Sequence, residues 1–363
     1  MPALDLRFRP VLKWGWSGVD TPRVSVIMAV RDGAPWLSAA CRSILDQALR
    51  DIELIVVDDG SRDETPELIA GLAHFDARVR PFRLSATGLA GALNKGVEAA
   101  RAPLLARLDA DDIALPGRIE RQFGHLDRHP EIVLLGTWAQ KIDAGGRPLG
   151  LLKPEPDPVR LETLLARRNP FIHSTVMMRT EMVRRVGAYR EACRHAEDYD
   201  LWLRLAEVGG IAILPEALVQ YRIHERSVSR QHVLNQCFSM RLARRAAAMR
   251  RASGVDPLSD LRAAPDWEDA GALEAFYAED AALFRFLALG IQDVSRRLQG
   301  LDIRLPTPTM FAGLSHEEKK FARRAIRRLI LAPGRPKAVS AGKLLLHAAH
   351  GALGWRFVRA PQR

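Results

Sequence analysis

Little in this chain points to cross-linking, secretion or membrane insertion. Its 363 residues include only three cysteines, Cys41, Cys193 and Cys237, too few and too scattered for a disulfide framework or a zinc site, which suits a reducing compartment. No apolar run reaches the ~18–20 residues that a membrane-spanning helix needs. The first twenty residues scatter charge through what would be the apolar core of a secretory signal. These features predict a cytoplasmic protein. No Gly-x-Gly-x-x-Gly, Walker loop or nucleophile elbow is present, which weighs against dehydrogenase, P-loop and hydrolase chemistry.

The composition, with 47% hydrophobic and 27% charged residues, is that of a globular chain, and the length predicts roughly two domains at ~100–200 residues each. A net charge of +11 invites a nucleic-acid or membrane reading, but its distribution is uneven. Residues 1–230 carry 32 basic against 31 acidic side chains, residues 231–316 carry 10 against 10, and residues 317–363 carry 12 against 2. The excess is therefore a property of the tail. With a balanced body and no aromatic-basic RNA motif, the chain is a poor nucleic-acid binder.

Short apolar runs bounded by Gly, Pro and Asp predict strands at Val24–Val30, Ile52–Ser61, Val79–Leu84 and Leu104–Leu108. Helical segments at about Pro35–Leu49, Thr65–His74 and Gly88–Ala100 separate them. This alternation predicts an α/β, Rossmann-like doubly wound sheet whose ligands sit at the carboxyl ends of its strands. Further strands are expected at Ile132–Ile142 and Phe171–Arg179, and a helix at His195–Val208. Trp138, Met177 and Met178 are expected in the core. Past a boundary near Arg230 the sequence becomes Ala/Arg/Leu-rich and helical. The organisation expected is an extension (1–22), a catalytic domain (23–230), a helical subdomain (231–316) and a basic amphipathic tail (317–363).

Two acidic clusters fall at strand ends. Asp58 and Asp59 can accept hydrogen bonds from a nucleobase or ribose, or cap the following turn. Asp109, Asp111 and Asp112 crowd three carboxylates into four residues; they repel one another unless protons or a cation intervene, and hard oxygen ligands suit Mg2+ or Mn2+. Glu197 and Asp198 open a helix, where a carboxylate caps the helix or serves as a general base. His173 and His224 are read first as structural.

Taken in order, VSVIMAVRDG, ELIVVDDGSRDET, GLAGALNKGVEAA, ARLDADDIALPGR, NPFIHSTVMMR, HAEDYDLWLRL and YRIHERSVS resemble the family 2 glycosyltransferases over Val24–Ser229. The resemblance implies a GT-A fold, a nucleotide-sugar donor, Mn2+ or Mg2+, and inversion at the anomeric carbon. It implies that Ala29, Arg31, Asp58 and Asp59 line the nucleoside site, and that Asp109 and Asp111 form the metal-binding DxD pair, Asp111 being the more direct ligand. Glu197 then lies in the donor site, Asp198 is the base, and His224 contacts the diphosphate or metal. Arg31 stands where many relatives carry a tyrosine that often stacks on uracil, a departure that leaves the base less defined; its guanidinium plane can stack instead, and UDP is the first expectation, with dTDP or GDP open. No Gln-x-x-Arg-Trp motif of processive synthases is present, which favours single-sugar transfer to a saccharide or lipid-linked saccharide, in cell-surface polysaccharide synthesis. A nucleotidyltransferase is the alternative enzyme, although RDGAPWL is a poor triphosphate loop. In the tail, Phe321, Ala325, Leu329 and Ile330 share one helical face and Arg323, Arg324, Arg327 and Arg328 cover much of the rest, a pattern for an anionic membrane or for ordinary docking.

Overall fold

The computed structural model describes residues 22–224 and 233–265, together with Lys319. Most of the N-terminal extension, the boundary at Arg230, much of the helical subdomain and the basic tail apart from Lys319 therefore lie outside the described residues. The chain forms two compact units, one built on residues up to Arg190 with Leu201–Ser227, the other on Glu191–Asp200 with the residues from Val228 onward.

The first unit begins with three strand-helix repeats: β1 (Val24–Val30), α1 (Ala34–Leu45), β2 (Ile52–Asp58), α2 (Thr65–Phe75), β3 (Val79–Arg83), α3 (Leu89–Ala99) and β4 (Leu104–Arg107). Every residue of β2 is buried, the signature of a parallel strand covered on both faces. Val24, Val26 and Met28 of β1 share one core with Leu37, Cys41 and Ile44 of α1. On the opposite face α3 approaches β1 so closely that a Cβ on Gly96 would meet Ile27 Cγ2 at 2.5 Å. Helix α1 ends at Leu45, short of the expected Leu49, because Arg50 and Arg78 both donate to the Leu45 carbonyl, at 3.0 and 2.9 Å, and close its negative end.

The remaining strands are β5 (Ile113–Ala114), β6 (Ile132–Ile142), β7 (Pro148–Leu152), β8 (Met177–Arg179) and β9 (Gly210–Arg222). Together with the first four they form one sheet in the order β3-β2-β1-β4-β8-β6-β9-β5, with β7 paired to β6. The first four strands are parallel. The sheet then becomes mixed: β8 runs antiparallel to both β4 and β6, β9 runs parallel to β6, and β5 antiparallel to β9. Further helices are α4 (Arg118–Arg128), α5 (Pro158–Leu165), α6 (Thr180–Arg185), α7 (Glu197–Leu205) and α8 (Val233–Ser253).

The expected strand Phe171–Arg179 is broken. His173–Thr175 is a turn of 3-10 helix and only Met177–Arg179 pairs in the sheet. Thr175 folds back on Ile172, its Oγ1 and N–H donating to that carbonyl at 2.8 and 2.9 Å, a local bond that competes with strand pairing. Met177 and Met178 are buried as expected, whereas Trp138 is half-buried and its Nε1 donates to the Pro154 carbonyl at 2.9 Å.

Near the other end of the parallel strands a fully buried carboxylate ties three elements together. Glu53 accepts Ser25 Oγ at 2.6 Å, the Arg101 N–H at 2.7 Å, Arg80 Nη1 at 2.6 Å and Arg101 Nε at 2.9 Å. Burial pushes its pKa up, but the bonds from Ser25, Arg101 and Arg80 outweigh it and hold the carboxyl below the ordinary 4.5. Because the folded value is depressed, its stabilisation is complete above pH 4.5 and is lost as pH falls through the lower folded value. Glu53→Gln is expected to cost about 3 kcal/mol at pH 7. In denaturant titrations the gap from wild type should narrow on acidification below pH 4.5; a gap independent of pH would contradict the assignment.

Candidate active site

Strand β1 lies between β2 and β4, with Val30 opposite Asp58 and Ile27 opposite Arg107. Both acidic clusters therefore emerge at one edge of the sheet, flanking the end of β1. There Ala29 is half-buried and Arg31 exposed. The loops after β1 and β2 are stitched together: the Asp32 N–H donates to Ser61 Oγ at 2.9 Å, the Gly33 N–H to Thr65 Oγ1 at 3.0 Å, and the Arg62 N–H to Asp32 Oδ1 at 2.8 Å. Asp32 adopts a left-handed φ of 53°, a conformation that costs a non-glycine residue energy and is held by these bonds.

Asp58 and Asp59 divide their work. Asp58, 2% exposed, accepts the Ser61 N–H at 2.9 Å and faces Arg83 Nε at 3.4 Å. Asp59 receives the Thr87 N–H at 2.6 Å and Thr87 Oγ1 at 3.0 Å on one oxygen, and the Gly88 N–H at 2.9 Å on the other. It thus anchors the loop that enters α3.

The chain leaves β4 into Asp109, Asp111 and Asp112, whose nearest carboxylate oxygens all lie within 4.8 Å of one another. Strand β5 follows at once and pairs with the end of β9, which brings residues about a hundred positions later to the same spot. The Arg222 N–H donates to Asp112 Oδ1 at 2.7 Å and its Nε to the Asp111 carbonyl at 2.7 Å. His224 Nε2 lies 2.8 Å from Asp111 Oδ2, and its ring stacks on Trp36 with centroids 4.6 Å apart.

Two more arginines stand behind the cluster. Arg107, 3% exposed, grips both oxygens of Asp109 with its two terminal nitrogens. Fully buried Arg118 donates from Nη2 to the Arg107 carbonyl at 2.6 Å and from Nε to Gln122 Oε1 at 3.1 Å. Burial and the charge of Arg107 pull Arg118 down to about 9, so it stays cationic at neutral pH.

The acidic cluster has the chemistry of a cation site. Burial first, then the charge of Asp109, raises the Asp111 carboxyl above its usual value, and burial with both neighbours raises Asp112 well above it. Among the described residues, buried Asp112 Oδ2 has no hydrogen-bond partner. Burial and the same three charges push the Tyr221 phenol up to about 12. A hard divalent ion with oxygen ligands would relieve this repulsion, and the carboxylates of Asp109, Asp111 and Asp112 lie close enough together to hold one.

Glu197 and Asp198 belong to the second unit. They form the first turn of α7; Glu197 is buried and Asp198 half-buried, with its Oδ1 accepting the Tyr199 N–H at 2.7 Å. His195, just ahead of them, has a left-handed φ of 68°.

A family model described as "Glycosyl transferase family 2" matches residues 25–192. The putative glycosyltransferase EpsE of Bacillus subtilis is 35% identical over 212 residues, which cover 57% of this chain and 74% of that protein. The chain belongs to glycosyl transferase family 2. The O-antigen biosynthesis glycosyltransferase WbnJ of Escherichia coli is 33% identical over 213 residues, covering 57% of this chain and 82% of the relative. Among solved structures, TarS 1-349 of S. aureus with UDP-GlcNAc superposes with a TM-score of 0.54 at 14% identity, over 92% of this chain and 88% of TarS 1-349. The mannosyltransferase PcManGT of Pyrobaculum calidifontis, in complex with GDP-Man and Mn2+, gives 0.50 at 16%, over 93% and 85%. These likenesses establish the GT-A fold.

Within this glycosyltransferase the structure places beside the acidic cluster residues that sequence reasoning passed over: Arg107, Arg118, Arg222, Trp36, and Ser174, whose Oγ donates to Asp109 Oδ2 at 2.9 Å. One signal was available. Arg107 and Asp109 stand two apart where β4 runs out, a spacing that puts both side chains on one face. The structural duty of Asp59 is directly testable. Asp59→Ala should cost about 1–3 kcal/mol in unfolding free energy and speed amide exchange at Thr87 and Gly88. Unchanged exchange at both amides would contradict that duty.

Proposed function

We propose that this enzyme moves one sugar from a nucleotide-sugar donor to a hydroxyl of a saccharide or lipid-linked saccharide acceptor, with inversion, using Mn2+ or Mg2+. The observation that carries the reading is the convergence of Asp109, Asp111 and Asp112 with His224 at the carboxyl edge of the sheet, where such folds bind nucleotides. Solved proteins of similar fold hold GDP-Man with Mn2+ and UDP-GlcNAc. UDP is the favoured carrier, with GDP and dTDP as alternatives. The name of the O-antigen relative supports an acceptor in cell-surface polysaccharide synthesis.

In this reading Ala29, Arg31, Asp58 and Asp59 border the nucleoside. Asp59 can do so only with lone pairs that Thr87 and Gly88 leave unused. Asp109 and Asp111 carry the cation site, Asp111 as direct ligand, with His224 beside it. A divalent ion bound there supplies positive charge for the diphosphate that departs. Asp198, in the Glu-Asp motif, takes the proton from the acceptor hydroxyl as its oxygen forms the bond to the anomeric carbon opposite the leaving nucleotide. Glu197 supports the donor side. No covalent sugar-enzyme intermediate is required. Residues 317–363, with 12 basic and 2 acidic side chains, are assigned to peripheral attachment at the inner face of an anionic membrane.

A donor panel with Mn2+, read by thermal shift and product release, tests the reaction, since a ligand of the native state raises its stability. Asp198→Asn should lower transfer by about a thousandfold or more while nucleotide affinity changes little; loss of nucleotide binding would move Asp198 to the donor site. A folded protein that neither binds nor turns over any donor under any divalent metal contradicts the proposal. For the tail, replacing Arg323, Arg324, Arg327 and Arg328 with Gln should abolish flotation with anionic vesicles; undiminished flotation removes the tail from the account.

A further inference from the structure

The hairpin of β6 and β7 carries a surface that neither the fold nor the proposed reaction uses. Among the described residues β7 pairs only with β6. A strand that covers a core hides alternate side chains, yet Pro148, Leu149, Gly150 and Leu151 are all exposed, Leu149 at 51% and Leu151 at 49%. The strand therefore projects as an uncharged apolar arm, with exposed Arg147 before it and exposed Lys153 after it. The arm is firmly held. Asp143 closes its turn, Oδ1 accepting the Gly145 and Arg147 N–H groups at 2.9 Å each and Oδ2 accepting Arg147 Nε at 2.7 Å. Arg222 ties that turn to the acidic edge: its Nη1 donates to the Asp143 and Ala144 carbonyls at 3.1 Å each, and its Nε to the Asp111 carbonyl at 2.7 Å. At the far end of β7, Lys153 Nζ lies 5.1 Å from the centre of the Trp138 ring.

A bare edge strand commonly recruits another strand. Here the chain obstructs such pairing. Pro148 has no N–H to offer, the register slips between Lys141 and Ile142, and Gly150 takes a left-handed φ of 121°. In a two-fold antiparallel pairing centred on Gly150, Arg147 would also meet Lys153 of a second copy, and like charges placed opposite one another repel. The same two cations complement an anionic lipid surface, and leucines beside basic side chains suit its interface. We propose that the β6–β7 hairpin docks on anionic lipid, Leu149 and Leu151 entering the headgroup boundary while Arg147 and Lys153 meet phosphates, which presents the acidic edge to an acceptor carried in that lipid. The unpaired outer backbone of β7 keeps the insertion shallow, since such groups are not tolerated in hydrocarbon. The docking stands on the hairpin itself; its purpose rests on the reading that the acceptor is lipid-linked.

The test places an environment-sensitive fluorophore on Leu149→Cys in the full chain, where the native Cys41, Cys193 and Cys237 are buried and stay unlabelled. Vesicles of phosphatidylglycerol and phosphatidylcholine in equal parts should shift its emission to the blue and raise it at least about twofold. Spin-labelled headgroups in those vesicles should quench it, and phosphatidylcholine alone should leave it unchanged. Leu151→Cys should report the same. With the tail intact, Leu149→Gln together with Leu151→Gln should lower partition onto the charged vesicles by about tenfold. A label that stays in water while the protein floats assigns attachment to the tail alone and overturns the inference. So does a label shift that follows protein concentration without vesicles, which marks a contact between copies. Labelled protein that inserts yet turns over no donor keeps the docking and removes the proposed reaction; donor turnover with the label in water does the reverse.

Discussion

Three carboxylates within four residues at the end of a buried strand repel one another, and much of the first unit is arranged around countering that repulsion. Cations come from three elements: Arg107 from β4, Arg118 from α4 and Arg222 from the end of β9. Such groups are costly to bury and are tolerated only when paired or hydrogen-bonded. The arrangement therefore depends on the whole sheet. Asp112 has its backbone partner only when β9 has crossed beside β5, so the acidic edge is complete only in the assembled fold.

The same economy runs through the neighbouring loops. The turns after β1 and β2 are bound to each other by Ser61, Thr65 and Asp32, which sets the walls of the edge before any ligand arrives. Asp59 fastens the entry to α3 while standing where a nucleoside is expected. Under the proposed function Asp59 would serve both the loop and the nucleoside, so a substitution there would read out both.

The parallel half of the fold is legible in the sequence because its strands are buried on both faces: VSVIMAV and IELIVVD are continuous apolar runs ended by Asp and Gly, and the intervening helices carry ordinary amphipathic spacing. The mixed half is not. Strand β9 contains Pro215 and pairs with β6 through register shifts, and β5 has only two residues; neither offers a periodic pattern long enough to read. Phe171–Arg179 has strand-like composition, yet Thr175 turns back on Ile172. In the site, the acidic residues were visible as charges at strand ends. Most of their partners were not, since His224 meets Asp111 across more than a hundred residues and only the fold brings them together.

The most direct test of the account is a crystal of the full chain grown with Mn2+ and UDP or GDP, with the ion located by its anomalous scattering. The account predicts a manganese peak in the Asp109–Asp112 cluster, at the Asp111 carboxylate, with the diphosphate beside the ion. Nucleotide bound with no manganese in that cluster, or manganese bound only elsewhere on the chain, would contradict it.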